Sequence, residues 1–118
     1  MSYFKKLFSQ KRNILIFYSV IILAVSYFTY FKNYDYPPSV FWDENYHIAS
    51  AEKYLQKVMF MEPHPPLGKL FIALGEYLIH PNDAVNKSGF TQTDYINDFP
   101  AGYSFAGVRF FSALFAWL

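Results

Sequence analysis

Two neighbouring carboxylates, Asp43 and Glu44, follow Phe41 and Trp42 in the sequence. A carboxylate amid aromatics is partly desolvated, which raises its pKa toward working pH and suits it to act as a general base. The pair also fits a helix start, with Asp43 as the cap and Glu44 favourable near the positive end. On residue pattern alone the cap is the plainer reading. His64 stands between Pro63 and Pro65 on a stiff backbone that could aim a side chain, or that simply breaks a helix. Lys69 falls near the start of the next helical pattern. A cation there opposes the helix dipole unless an anion shares the site; otherwise it is a solvated lysine. Arg109 is the single charge in the apolar run Phe99 to Leu118. Such a residue faces a protein interior, a cavity or a partner, or else snorkels to the interface. His47, His64 and His80, with Glu44 and Glu62, match no metal-ligand template, so no metal site is expected.

These residues need elements to position them. The chain has 118 residues, no cysteine, 53% hydrophobic and 23% aromatic residues, and a net charge of +1. That composition excludes intrinsic disorder and a disulfide-stapled secreted domain. Ten Lys and Arg against nine Asp and Glu also exclude the basic excess of a nucleic-acid binder. Asn13 to Phe31 carries no charge. Its last 18 residues would extend about 27 Å as a helix, enough to cross a hydrocarbon core. The run ends Tyr27-Phe28-Thr29-Tyr30-Phe31, which suits an aromatic interface belt and not a signal-peptidase site. Lys5, Lys6, Lys11 and Arg12 precede it and only Lys32 follows closely, so the N-terminus is expected in the cytoplasm.

The expected organisation is an all-α membrane protein. Residues 1–12 form a cytoplasmic N-terminus, 13–31 a first transmembrane helix, 32–99 an extracytoplasmic loop, and 100–118 the start of a second transmembrane helix. Because the second run is still apolar at Leu118, the chain is expected to be the N-terminal part of a longer polytopic protein. Within the loop, Ile48, Ala51, Leu55, Val58 and Met59 share one helical face, predicting an amphipathic helix over about 46–60. Glu52, Lys53, Gln56 and Lys57 would take the polar face. Pro66 opens a second helix over about 66–79, with Leu67, Leu70, Phe71, Leu74 and Leu78 as its apolar stripe. Residues 81 to 98 are polar and read as loop, with Asn86-Lys87-Ser88 fitting a common glycosylation pattern.

Taken in order, Ser39-Val40-Phe41-Trp42-Asp43-Glu44, His64-Pro65-Pro66-Leu67-Gly68-Lys69-Leu70 and Arg109-Phe110-Phe111-Ser112-Ala113-Leu114 resemble the start of the protein O-mannosyltransferases and their bacterial lipid-carrier-dependent relatives. The resemblance runs from about Pro37 to the end, and His-Pro-Pro-Leu-Gly-Lys is its most specific string. It implies a polytopic GT-C glycosyltransferase whose first outer loop carries the acid pair. It implies that Asp43 is the catalytic carboxylate with Glu44 beside it. It places His64 and Lys69 in the loop that shapes the site, and Arg109 near the carrier phosphate. Two positions depart from it: Trp42 separates Phe41 from Asp43, and His47 comes four residues after Asp43 instead of three. Both fit a diverged bacterial branch.

The function implied is transfer of a sugar, mannose, from a polyprenyl- or dolichyl-phosphate carrier to an acceptor hydroxyl, on protein Ser or Thr, with inversion. The partners implied are the lipid-linked donor, a hydroxyl-bearing acceptor and membrane lipid, with no nucleic acid. No cofactor is required; a divalent cation is compatible with the chemistry, but no residue spacing asks for one. The implied location is the bacterial plasma membrane with the site facing outside, or alternatively the endoplasmic reticulum membrane. The competing reading is a non-enzymatic two-span membrane protein whose loop binds a partner. In a cysteine-free background, Ser88→Cys should react with a membrane-impermeant thiol reagent applied outside, and Ser9→Cys should not. The reverse pattern would overturn the orientation.

Overall fold

The structure, a computed structural model, describes residues 2–118, with side chains from Ser9 onward. The regular elements among the described residues are helical: α1 (Ser2–Ser26), a π-helical turn (Tyr27–Phe31), α2 (Glu44–Leu55), α3 (Leu67–Ile79), the short α4 (Gly89–Gln92) and α5 (Ala106–Trp117). Ser9–Phe31 is long and apolar enough to cross a membrane, 23 residues, or about 35 Å of helix. Its apolar side chains are exposed all round, as lipid contact requires. Lys11 and Arg12 are exposed at its start, and the side chains of Lys5 and Lys6 lie outside the described residues. The helix runs unbroken from Ser2 to Ser26. At its far end the π turn closes with Lys32 N–H donating to Tyr27 O at 2.8 Å. Tyr27 and Phe31 pack against Trp117 of α5, whose indole N–H donates to Leu23 O at 3.0 Å. α5 itself has 12 residues, about 18 Å of helix, shorter than a hydrocarbon core of about 30 Å.

α2 ends earlier than its apolar spacing predicts. Val58 N–H donates to Lys53 O at 3.0 Å and Lys57 N–H to Tyr54 O at 3.2 Å, with Lys57 in the left-handed region at φ 56°. This paired closure is a Schellman motif, built on lysine where glycine is usual. Val58 and Met59 therefore leave the helical face, and Met59 is 98% exposed. The expected polar face is also displaced: Glu52 and Lys53 are buried together with Ile48, Ala49 and Ala51. In α3 the expected faces are inverted outright. Leu67, Leu70, Leu74 and Leu78 point outward, while Lys69, Ala73, Gly75 and Glu76 face the interior.

α3 packs on α2 and on α5. Its crossing with α5 is set by two glycines. A Cβ on Gly75 would lie 2.2 Å from Gly107 O, and one on Gly107 would lie 2.8 Å from Glu76 Cα. No other residue permits that approach. The core gathers Ile48, Ala49, Phe90, Ile96, Tyr103, Phe105 and Val108. Phe90 and Ile96 come from residues 81–98, so this polar stretch is no free loop; it is pinned into the core around α4.

Asn82, wholly buried, fastens the same stretch. It accepts from Ser104 N–H at 2.6 Å and donates to Glu76 Oε2 at 3.1 Å. Lys87 then bridges two buried carboxylates, 3.7 Å from Glu52 and 3.6 Å from Glu76. Tyr103 O–H donates to Glu52 at 3.1 Å. Burial raises both carboxyl pKa values, and Lys87 only partly opposes it. A carboxyl whose pKa is higher folded than unfolded contributes stability below its unfolded value of about 4.3, lost as pH rises through the folded value. Glu52→Gln removes the charge and keeps an acceptor for Tyr103. Its thermal midpoint in the intact protein should exceed that of wild type by a margin that grows as pH rises above about 4.3 and vanishes below it. A variant destabilised at every pH would show that the Lys87 pairing outweighs burial.

Candidate functional site

Arg109 organises the site. Its Nε donates to Glu44 Oε1 at 2.6 Å and its Nη2 to Glu44 Oε2 at 2.8 Å, a two-pronged carboxylate contact. Its Nη1 donates to Asp35 O at 3.0 Å and Pro37 O at 2.8 Å, and its Nη2 also to Ser39 O at 2.6 Å. A guanidinium has five N–H groups, and these five contacts engage all of them. The rings of Phe105, at 4.2 Å, and Phe41, at 5.3 Å, flank it. Arg109 is placed one turn into α5, and its partners are the chain from Asp35 to Glu44. The expectation placed Arg109 near a carrier phosphate; in this structure its five N–H groups are engaged within the chain.

Glu44 closes the opposite side by accepting Phe41 N–H at 3.0 Å. Asp43 sits at the N-cap position of α2, yet its side chain makes no capping hydrogen bond. Its backbone carbonyl accepts from Tyr46 and His47 at 3.0 and 3.1 Å, while the carboxylate is exposed. The two carboxylates thus part company: Glu44 is spent on Arg109, and Asp43 faces open space. That space is a cavity of about 410 Å³ bounded by Phe41, Trp42, Asp43, His47, Ile72 and Arg109, among others. It falls within the usual range of about 300–1,000 Å³ for small-ligand pockets.

His47 stands one helical turn after Asp43 and joins this cavity to two neighbours. One, of about 240 Å³, is lined by His64, Lys69 and Ser112. The other, of about 360 Å³, lies between Asp43, Tyr46, His64 and Tyr95. Partial burial and the nearby Lys69 ammonium lower the His47 pKa, which favours the neutral ring. His64 is exposed, its ring 6.4 Å from that of His47 and 5.9 Å from that of Tyr46. Lys69, only 3% exposed, pairs with Glu62 and lies 4.6 Å over the Tyr46 ring. The anion at the start of α3 is therefore the Glu62 carboxylate. Burial acts to raise the Glu62 pKa, but hydrogen bonds from Lys69 and the His64 N–H outweigh it, and the net shift is downward. Another hollow, of about 680 Å³, runs along α1 between Ser9 and Tyr18 and is walled by one helix alone.

All five expected residues border this connected space: Asp43 and Glu44 from the start of α2, His64 and Lys69 from the turn into α3, and Arg109 from α5. Among the described residues, no three His, Asp or Glu side chains are grouped to hold a metal ion. His47 was visible as a departure in spacing and as one of three histidines without a metal-ligand template, yet its i+4 relation to Asp43 along a helix was a readable signal. Glu62 carried no signal of its own, since its role comes from a lysine seven residues later. The buried Glu52 and Glu76 had none either.

The family profile described as dolichyl-phosphate-mannose-protein mannosyltransferase matches residues 20–118. The chain is 33% identical to Protein O-mannosyl-transferase 2 of Danio rerio over 70 residues, 59% of this chain and 9% of that protein. It is 30% identical over 99 residues to dolichyl-phosphate-mannose–protein mannosyltransferase 6 of Candida albicans, 84% of this chain and 11% of that protein. It is 29% identical over 102 residues to the protein of the same description in Saccharomyces cerevisiae, 84% of this chain and 12% of that protein. The chain thus spans about a tenth of the length of the curated relatives it matches. No solved structure matches it.

Removing Arg109 would leave Glu44 without its counterion and three backbone carbonyls without donors. Arg109→Ala should cost about 3–5 kcal/mol in the intact protein, read from thermal unfolding. Arg109→Lys should recover only part of that, because three N–H groups cannot serve five contacts. Near-wild-type stability of Arg109→Ala would mean that the guanidinium is not the fastener described.

Proposed function

The chain belongs to the dolichyl-phosphate-mannose-protein mannosyltransferase family, and from that premise we propose that the intact protein transfers mannose from a polyprenyl- or dolichyl-phosphate carrier to a protein Ser or Thr hydroxyl. The observation that supports it most is the division of labour in the acid pair. Glu44 is committed to Arg109, while Asp43 opens onto a cavity with its carboxylate uncapped.

In this reading Asp43 takes the proton from the acceptor hydroxyl as its oxygen attacks the anomeric carbon. The bond from that carbon to the carrier phosphate oxygen breaks, and the phosphate leaves with the electron pair. A single displacement of this kind inverts the anomeric centre and needs one carboxylate, unlike the pair of a hydrolase. A sugar phosphate carries its own leaving group, so the reading calls for no cofactor. Glu44 and Arg109 hold the segment that presents Asp43; they do not touch the reacting atoms. His64, exposed on the wall of the cavity it shares with Asp43, supplies an N–H toward the departing phosphate. Lys69, tied to Glu62, fixes the turn that carries His64.

Membrane attachment follows from the family and the apolar helix together. The finer placement is part of the proposal: α5 begins a second span, and the site faces away from the cytoplasm. The departures at Trp42 and His47 favour a bacterial plasma membrane. Asp43→Asn keeps the shape of the side chain and loses the base. In the intact protein it should insert normally and transfer sugar about 10²–10⁴-fold more slowly. Because Asp43 makes no capping bond, Asp43→Ala should lose turnover without losing stability. Near-normal transfer by Asp43→Asn from a defined lipid-linked donor would move the base elsewhere.

A further inference from the structure

Trp42 is a large side chain on the cavity that Asp43 faces, and the fold leaves it unused. Phe41, beside it, flanks the Arg109 guanidinium, and Glu44 binds it. Trp42 is 94% exposed, and its backbone is held in the left-handed region at φ 46°. That region is unfavourable for a bulky residue, and a bulky residue kept there by its surroundings points to a use. The surroundings here are the Glu44 contact to Phe41 N–H on one side and the first turn of α2 on the other. They pin both neighbours of Trp42 and present its indole at the rim of the cavity that Asp43 faces.

The cavity is amphipathic. Asp43, His47 and Ser112 offer polar atoms, whereas Ile48, Ile72 and Val108 offer none. A hexopyranose is amphipathic in the same sense. Its hydroxyls need polar partners, and one face of the ring presents C–H bonds carrying slight positive charge. The face of an indole is negative, so it attracts such a C–H surface. We propose that Trp42 is the platform on which the hexosyl ring of the lipid-linked donor stacks, with the anomeric carbon turned toward the oxygen that Asp43 deprotonates. The proposal rests on the reading of the intact protein as a transferase that uses a lipid-linked sugar donor. It assigns Trp42 to sugar binding, not to proton transfer. It also gives a role to the residue by which this chain departs from the pattern it resembles, in which phenylalanine runs directly into the aspartate.

The test is steady-state kinetics of the intact protein in membranes, with a short-chain polyprenyl-phosphate mannose as donor and a Ser/Thr peptide as acceptor. Trp42→Asn removes the ring and keeps a residue that accepts the left-handed backbone; Trp42→Gly is the alternative if the first does not insert. Trp42→Phe keeps a smaller aromatic face. The ring-less variant should raise the donor KM about two- to tenfold, the phenylalanine variant less, with the acceptor KM unchanged. An unchanged donor KM in the ring-less variant, or a rise confined to the acceptor KM, would overturn the proposal. So would failed membrane insertion repaired by phenylalanine, which would make Trp42 an interface anchor. Asp43→Asn, run alongside, separates the two claims: it should lower kcat and leave the donor KM in place. If it leaves turnover normal while the ring-less variant still raises the donor KM, the base assignment fails and the stacking platform stands.

Discussion

The site depends on a guanidinium that had to be buried and found five acceptors. Arg109 is nearly inaccessible, and an unpaired charge in that position would be prohibitive. The irregular chain from Asp35 to Ser39 supplies three carbonyls, and Glu44 supplies two oxygens. A segment with no regular backbone pairing of its own is thereby fastened to α5. Lysine could not do this, since its three donors lack the planar fork. Fixing Glu44 fixes the start of α2, and with it the direction in which Asp43 and Trp42 open. The acid pair is therefore not two copies of one function. One carboxylate is spent on architecture so that the other can be presented free.

Elsewhere, too, the buried cations are paired. Lys69 meets Glu62, Lys53 meets Asp94, and Lys87 lies between Glu52 and Glu76. The leucines of α3 face outward, continuous in character with the exposed surface of α1. In water this arrangement would be costly, because apolar surface is exposed and charge is buried. The tight glycine crossing of α3 and α5 brings their backbones into direct contact, which fixes the two helices against each other.

The sequence was informative where a residue type carries its own rule. The uncharged run before Phe31 announced a span, Pro66 announced α3, and an arginine alone among apolar residues announced a buried partner. It was uninformative where the outcome depends on pairing at a distance. Nothing near Glu44 says that Arg109, 65 positions later, will claim it instead of Asp43. Periodicity was right about α2, whose Ile48 and Ala51 are buried, and misleading about the side of α3, whose leucines face outward. Lys57 hid the end of α2, because a left-handed closure without glycine leaves no mark in composition. The polar residues 81–98 concealed Phe90 and Asn82, each fully buried.

The central claim is that Arg109 acts through Glu44 to hold the segment that presents Asp43. A double-mutant cycle on the sugar-transfer rate of the intact protein tests it most directly, using Glu44→Gln, Arg109→Lys and the two combined. If the pair works as one unit, the combined variant will transfer no more slowly than the slower single variant, a coupling of at least about 1 kcal/mol. Losses that multiply independently would contradict the account and return Arg109 to a separate role of its own.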